Sequence, residues 1–193
     1  MVELSGVSFG YQSDKNVLDN LNLRMEEGRF YGLLGMNGSG KTTLLKLIAG
    51  KLFAHGGEIY VDGRNLRERD VETLQKVFML PADFIFPNMS LEQFLAIYSE
   101  FYPEFRKEVL NDCLVNFEIQ RDIKNLNQLS LGEKHKVAFS IALSLGTKIV
   151  LLDEAANGMD IPARKMFRKL LMKHVREDQI VVLSTHIVQD IEN

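Results

Sequence analysis

The stretch Gly35–Thr43, GMNGSGKTT, decides how this chain is read. It satisfies G-x-x-x-x-G-K-[ST], with an apolar run, RFYGLLG (29–35), before it and a helical stripe, KTTLLKLIAG (41–50), behind it. A strand, a loop and a helix in that order are the context in which this pattern holds phosphate. Glycines at 35, 38 and 40 let the backbone turn, so that successive N–H groups along Gly35, Met36, Asn37, Gly38, Ser39, Gly40, Lys41, Thr42 and Thr43 point inward at phosphate oxygens. The positive end of the following helix reinforces them. Lys41 supplies a charge to the β and γ phosphates, and Thr42 supplies a hydroxyl to Mg²⁺.

Working outward, the run IVLLDE (149–154) places two carboxylates at the end of a buried strand. Asp153 can reach Mg²⁺ through water, and Glu154 can polarise a water for in-line attack on the γ-phosphate. The run ending in STH puts His186 just past another strand end, where ligands of open α/β sheets bind. There it can hydrogen-bond the γ-phosphate or the attacking water, or simply lie exposed. In NQLSLGEKHK (127–136), Ser130 and Glu133 form the pattern of a capping box ahead of Val137, Ile141 and Leu145. The same residues can present N–H groups to a phosphate, and the local sequence leaves both readings open.

Composition narrows the class. The 193 residues are 46% hydrophobic and 25% charged, which suits one well-buried α/β core. No apolar run approaches the length of a membrane span, and the first residues lack the profile of a signal peptide, so a soluble, intracellular chain is expected. The single cysteine, Cys113, falls on an apolar helical face and reads as a buried thiol. A net charge of −3 with interspersed signs argues against a nucleic-acid surface.

Along the chain, VELSGVSFGY, VLDNLNLRM and RFYGLLG read as strands, the last as a buried one. GEIYVDGRNL reads as a hairpin closing on Asp62-Gly63, and residues 76 to 81 as a further strand. From about 88 to 126 the pattern is helical, starting at Ser90. After 130 helices alternate with the runs KIVLLDE and QIVVLST, which predicts βα units and a parallel sheet. Ile187, Val188 and Ile191 begin a helical stripe that stops at Asn193, so a C-terminally shortened chain or an unusually compact domain is expected.

Taken in order, Tyr11, GMNGSGKTT, LSLGE, LLDE, NGMD and STH give the chain a specific resemblance, over essentially its whole length, to the ATP-binding cassette domain of ABC transporters. The resemblance implies a single nucleotide-binding domain over 1–193 of the α/β class. It would comprise a P-loop NTPase core with a mostly parallel sheet, an antiparallel N-terminal β subdomain, and an α-helical subdomain from about 88–126 extending to about 145. It implies that Tyr11 stacks on adenine, with Phe9 as the alternative stacker. It resolves the double reading of Ser130: Ser130 and Gly132 would contact the γ-phosphate held by a second cassette, while the helix behind them is capped. Asp160 would lie at the dimer seam.

The same resemblance implies an ATPase that binds MgATP between two cassettes and hydrolyses it with Glu154 as base. It would drive transport through separate transmembrane subunits from the inner face of the cell membrane. The compact layout resembles bacterial exporters, and the aromatic stretch FIFPNMSLEQFLAIYSEFY (84–102) would meet the membrane partner, with some of its rings exposed. Two departures stand out. Ala82-Asp83 occupy the place of the family's glutamine, and the signature reads LSLGE where LSGGQ is commonest, Leu131 and Glu133 being the changed positions. The alternatives are a soluble ABC-type ATPase acting on ribosomes or nucleic acid, and a clamp that binds ATP without turning it over.

Overall fold

A computed structural model describes residues 1–12 and 15–186. The helical stripe expected from Ile187 onward lies outside them.

The first strands form an antiparallel sheet. β1 (Val2–Phe9) pairs on one side with β2 (Leu18–Met25) and on the other with β4 (Gly56–Val61), which turns into the two-residue β5 (Arg64–Asn65). The turn is the expected Asp62-Gly63, with φ of 51° and 77°. Positive φ at both central residues matches the twist of the flanking strands, which is why a small residue followed by glycine closes this hairpin.

A second sheet is wholly parallel. β3 (Arg29–Leu34), β6 (Val77–Leu80), β7 (Ile149–Asp153) and β8 (Ile180–Thr185) lie in the order β3-β8-β7-β6. β7 and β8 are buried at every residue, as strands covered on both faces must be. β3 departs from the buried strand that its composition predicts. It pairs only with β8 among the described residues, and Phe30 and Leu34 are about half exposed. Composition marks the strand, but its place at the sheet's edge depends on which partner it finds.

Alternation along the central strands divides the core in two. Ile149 and Leu151, with Ile180, Val182, Val77 and Met79, face α1 (Lys41–Ile48) and the antiparallel sheet. Their neighbours Val150, Leu152, Val181 and Leu183 face the helices on the other side. α1 runs through the first core with Leu45, Leu47 and Ile48 almost fully buried. Each such side chain contributes roughly 1.5–3 kcal/mol by leaving water, which anchors the loop ahead of the helix.

α2 (Val71–Gln75), one turn capped by Asp70, sets Leu74 against the first core and is too short to have shown a period in the sequence. The longer helices fill the other side. α3 (Leu91–Phe101) begins at Ser90 with a complete capping box, Gln93 reaching back to the Ser90 N–H. α4 (Lys107–Asn116) carries Cys113 on its buried face. The helical reading overshoots beyond it, where residues 117–130 are turns with one 3₁₀ segment at Leu126–Gln128. α5 (Leu131–Ser144) is the centre of this layer, and its Phe139 ring lies 4.1 Å from that of Phe167 on α6 (Ile161–His174).

Candidate functional site

The loop between β3 and α1 is built where the parallel sheet presents its strand ends. Gly40 caps α1 in the left-handed region, φ 95°, and a side chain there would press within 3.1 Å of Val17. A residue with a Cβ would be strained twice over, by conformation and by contact. Lys41 folds back over the loop, its Nζ donating to the carbonyls of Gly35 at 2.6 Å and Met36 at 3.0 Å. Met36, Asn37, Gly38 and Ser39 are exposed, leaving the concave backbone open to solvent.

One residue on, the Thr42 hydroxyl donates to Asp153 Oδ2 at 2.7 Å. Asp153 is 1% exposed, and its other oxygen accepts from the Ser184 hydroxyl at 2.5 Å. Both oxygens of a buried carboxylate are therefore oriented. Ser184 also serves the next residue, since the Glu154 N–H reaches both the Ser184 hydroxyl and its carbonyl at 3.1 Å. Glu154 has φ 48°, uncommon for a residue with a side chain and frequent at functional turns. Its carboxylate accepts from the Asn157 amide at Oε2, while Oε1 stands 3.6 Å from Nδ1 of the half-exposed His186.

Tyr11 joins the same group. Its ring is 62% exposed and its hydroxyl lies 3.2 Å from the Thr43 hydroxyl, so an open aromatic face flanks the loop. Phe9, the alternative stacker, is 6% exposed and packs edge-on against Tyr11 at 5.1 Å. It is a core residue.

A second group assembles at the starts of α5 and α6. Ser130 caps α5 through the expected box, its N–H and hydroxyl both bonded to Glu133 Oε2 at 2.9 and 2.6 Å. Those two donors hold the Glu133 carboxyl below its usual range. Asp160 is exposed and caps α6, accepting from the Ala163 N–H at 2.8 Å. Gly132 brings the two starts together, for a Cβ on it would lie 3.4 Å from the Gly158 carbonyl. The hydrogen bonds of Ser130 and Asp160 stay within their own helix starts, and among the described residues none of them reaches the loop.

Asp83, at the place of the missing glutamine, is exposed and bonds to neither Thr42 nor Asp153. Its charge instead acts on Lys51, whose ammonium is depressed by burial first and by Lys46 second. Three residues escaped the sequence reading. Ser184 was legible only as part of STH, Asn157 only as half of a turn, and His135, 4% exposed with Nδ1 3.4 Å from the Ala155 carbonyl, not at all.

No helix among the described residues is long and apolar enough to cross a membrane. The family model described as "ABC transporter" matches residues 18–157. The ABC transporter ATP-binding protein YtrB of Bacillus subtilis is 30% identical over 193 residues, all of this chain and 65% of its own length. The bacitracin transport ATP-binding protein BcrA of Bacillus licheniformis is 30% identical over 94% of this chain and 60% of its own. This chain thus spans less than two thirds of either relative. Among solved structures, the cassette MJ0796, dimeric in a post-hydrolysis state with ADP and Pi, superposes with a TM-score of 0.83 at 26% identity, covering 98% of this chain and 90% of that one. With a phosphate-loop fold and a family match that runs from β2 past the carboxylates of β7, the chain belongs to the ABC transporter family.

Proposed function

We propose that this chain binds and hydrolyses MgATP and drives transport through transmembrane subunits carried on other chains. The observation that carries the reading is the convergence of Lys41, Thr42, Asp153, Glu154 and His186 around one exposed loop, through contacts of 2.6 to 3.6 Å. Tyr11 would take the adenine face, and the loop N–H groups with Lys41 the phosphates.

The residues present fit Mg²⁺. Among the described residues no cluster of three or more His, Cys, Asp or Glu side chains could cage a metal alone. One hydroxyl and one oriented carboxylate, Thr42 and Asp153, are the donor set of an ion that shares its shell with substrate phosphates. When bound, Mg²⁺ neutralises charge that develops on the phosphate oxygens. Glu154 accepts a proton from water as that water attacks the γ-phosphorus in line, and His186, beside Oε1, orients the water or the γ-phosphate. Lys41 remains on the departing phosphates as their charge grows.

Ser130, Gly132 and Asp160 complete the site from a second cassette. That their hydrogen bonds stay within their own helix starts supports this, as does the dimeric assembly of the MJ0796 cassette. The membrane partner docks on a groove of about 940 Å³ between α1, β6 and α3, where Ile85 is 86% and Ile97 50% exposed. Phe101, 60% exposed, lies on the same helix. This bears on the aromatic stretch: Phe86 and Phe94 are core residues, and the exposed apolar surface comes from its isoleucines and Phe101. We take the direction of transport to be export from a bacterial cell, with the protein held at the inner face of the membrane by its partner.

The test has two parts. Full-length protein purified from its own cells in mild detergent is expected to bring down a polytopic membrane protein in near-equal amount, and to release phosphate from MgATP. Ribosomal proteins in its place would overturn the transport reading. Nucleotide binding without phosphate release would replace hydrolysis with an ATP-operated clamp.

A further inference from the structure

The turn after Glu154 is more tightly determined than a connection to α6 requires. The Asn157 N–H donates to the Glu154 carbonyl at 2.9 Å, closing the turn, and its side-chain amide returns to the Glu154 carboxylate at Oε2. One residue thus holds both the backbone and the side chain of its neighbour three positions back. The turn is clamped from two sides. Ser184 on β8 fixes the Glu154 N–H, while on the α5 side His135 meets the Ala155 carbonyl and Leu131 packs at Gly158. Phe84 lies edge-on to His135 at 5.1 Å, closing the space behind that imidazole.

A free glutamate has three rotatable bonds and would sample several positions at the end of β7. With Oε2 fixed by an amide donor, the carboxylate keeps one orientation and Oε1 is left facing His186 at 3.6 Å, free of the amide. The amide is neutral, so it orients the carboxylate without placing a full positive charge beside it.

From this arrangement we propose that Asn157 is a positioning residue for hydrolysis: its side-chain amide holds Glu154 in the orientation from which Oε1 takes the proton of the attacking water. The proposal rests on Glu154 acting as the base. Asn157 itself touches no substrate in this arrangement, so its effect should appear in turnover and not in binding.

Phosphate release, the KM for ATP and the Kd for ATP are measured on full-length wild type, Asn157→Ala, Asn157→Asp, Glu154→Gln and the double variant Glu154→Gln/Asn157→Ala. Losing a fixed geometry at a reacting group is expected to lower kcat roughly 10- to 100-fold in Asn157→Ala, with KM and Kd within about twofold. Asn157→Asp keeps the shape but places an anion against Glu154, and is expected to be at least as slow as Asn157→Ala. In the Glu154→Gln background the alanine change should add less than about twofold, because there is no base left to position. A purely structural asparagine would instead weaken binding, or would add its full effect on top of Glu154→Gln, and either result overturns the proposal. So does an unchanged kcat in Asn157→Ala. If wild type binds ATP but releases no phosphate, the hydrolytic reading itself has failed, and the positioning role falls with it.

Discussion

The hydroxyl of Thr42 donates to Oδ2 of Asp153 at 2.7 Å, across 111 positions of sequence. This bond ties the first turn of α1 to the end of β7, and it places the hydroxyl and the carboxylate that would share a magnesium ion side by side. The Ser184 hydroxyl on the other oxygen completes the orientation.

Ser184→Ala therefore removes the partner behind the carboxylate proposed to bind Mg²⁺ and leaves the carboxylate itself. Outer partners of this kind are commonly worth about 10- to 100-fold in metal affinity. The Mg²⁺ concentration for half-maximal phosphate release at saturating ATP should rise about tenfold or more, and Ser184→Thr should restore it. An unchanged titration would mean that Thr42 alone orients Asp153.

In the proposed function Lys41 contributes charge to the phosphates, and its bonds to Gly35 and Met36 hold the loop's shape. Charged hydrogen bonds are worth about 1.5–3 kcal/mol each, so Lys41→Ala should weaken ATP binding on the order of 10- to 100-fold. Equilibrium binding of a fluorescent nucleotide measures it, and wild-type affinity would remove the loop from the site.

Glu154→Gln keeps the length and most hydrogen bonds of the side chain but cannot accept the proton. Turnover should fall on the order of 10²-fold or more while ATP binding persists. Wild-type phosphate release by this variant would show that the base lies elsewhere.

Asp62 supports the fold by charge. Burial alone would raise its carboxyl, but the Met1 ammonium at 2.7 Å, Lys148 and Lys76 outweigh burial and hold it at about 2, below its ordinary 3.8. A carboxyl depressed in the folded state stabilises above its unfolded value, and that contribution is lost as pH falls from about 3.8 toward 2. Its size is roughly 1–2 kcal/mol once partial exposure is allowed for. Asp62→Asn, which tolerates the same left-handed turn, should lower stability by that amount at pH 7 and by progressively less through this acid window. Urea denaturation at several pH values would reveal it, and a constant difference down to pH 2 would assign the loss to packing.

The Cys113 thiol is pushed up to about 12, by burial first and by the neighbouring Asp112 second. Native protein should react with iodoacetamide at pH 8 roughly 10³-fold more slowly than protein in denaturant. Comparable rates would place this face of α4 in exchange with solvent.

Much of this molecule is set by neighbours in sequence. The phosphate loop, the turn at Asp62-Gly63, the caps at Ser90, Ser130 and Asp160, and the buried runs at 149–153 and 180–185 are legible because each rests on residues within a few positions of one another. Backbone conformation, helix-end hydrogen bonding and hydrophobic period are local properties, and a short window contains them. The resemblance that assigned candidate roles to Tyr11, Ser130 and Asp160 likewise depends on ordered local motifs. What they touch was decided by tertiary structure. The exposure of β3, the burial of Phe9 behind Tyr11, the two bonds of Ser184 and the hold of Asn157 on Glu154 depend on where strand ends and turns meet. The parallel sheet brings residue 42 on α1 to 153, and residue 184 to the Asp153 carboxylate and the Glu154 N–H, only once the whole sheet has formed, so contacts of that range leave no mark in a local pattern. The sequence by itself determined which chemical groups are present and which local elements carry them; packing decided which of those groups share an atom.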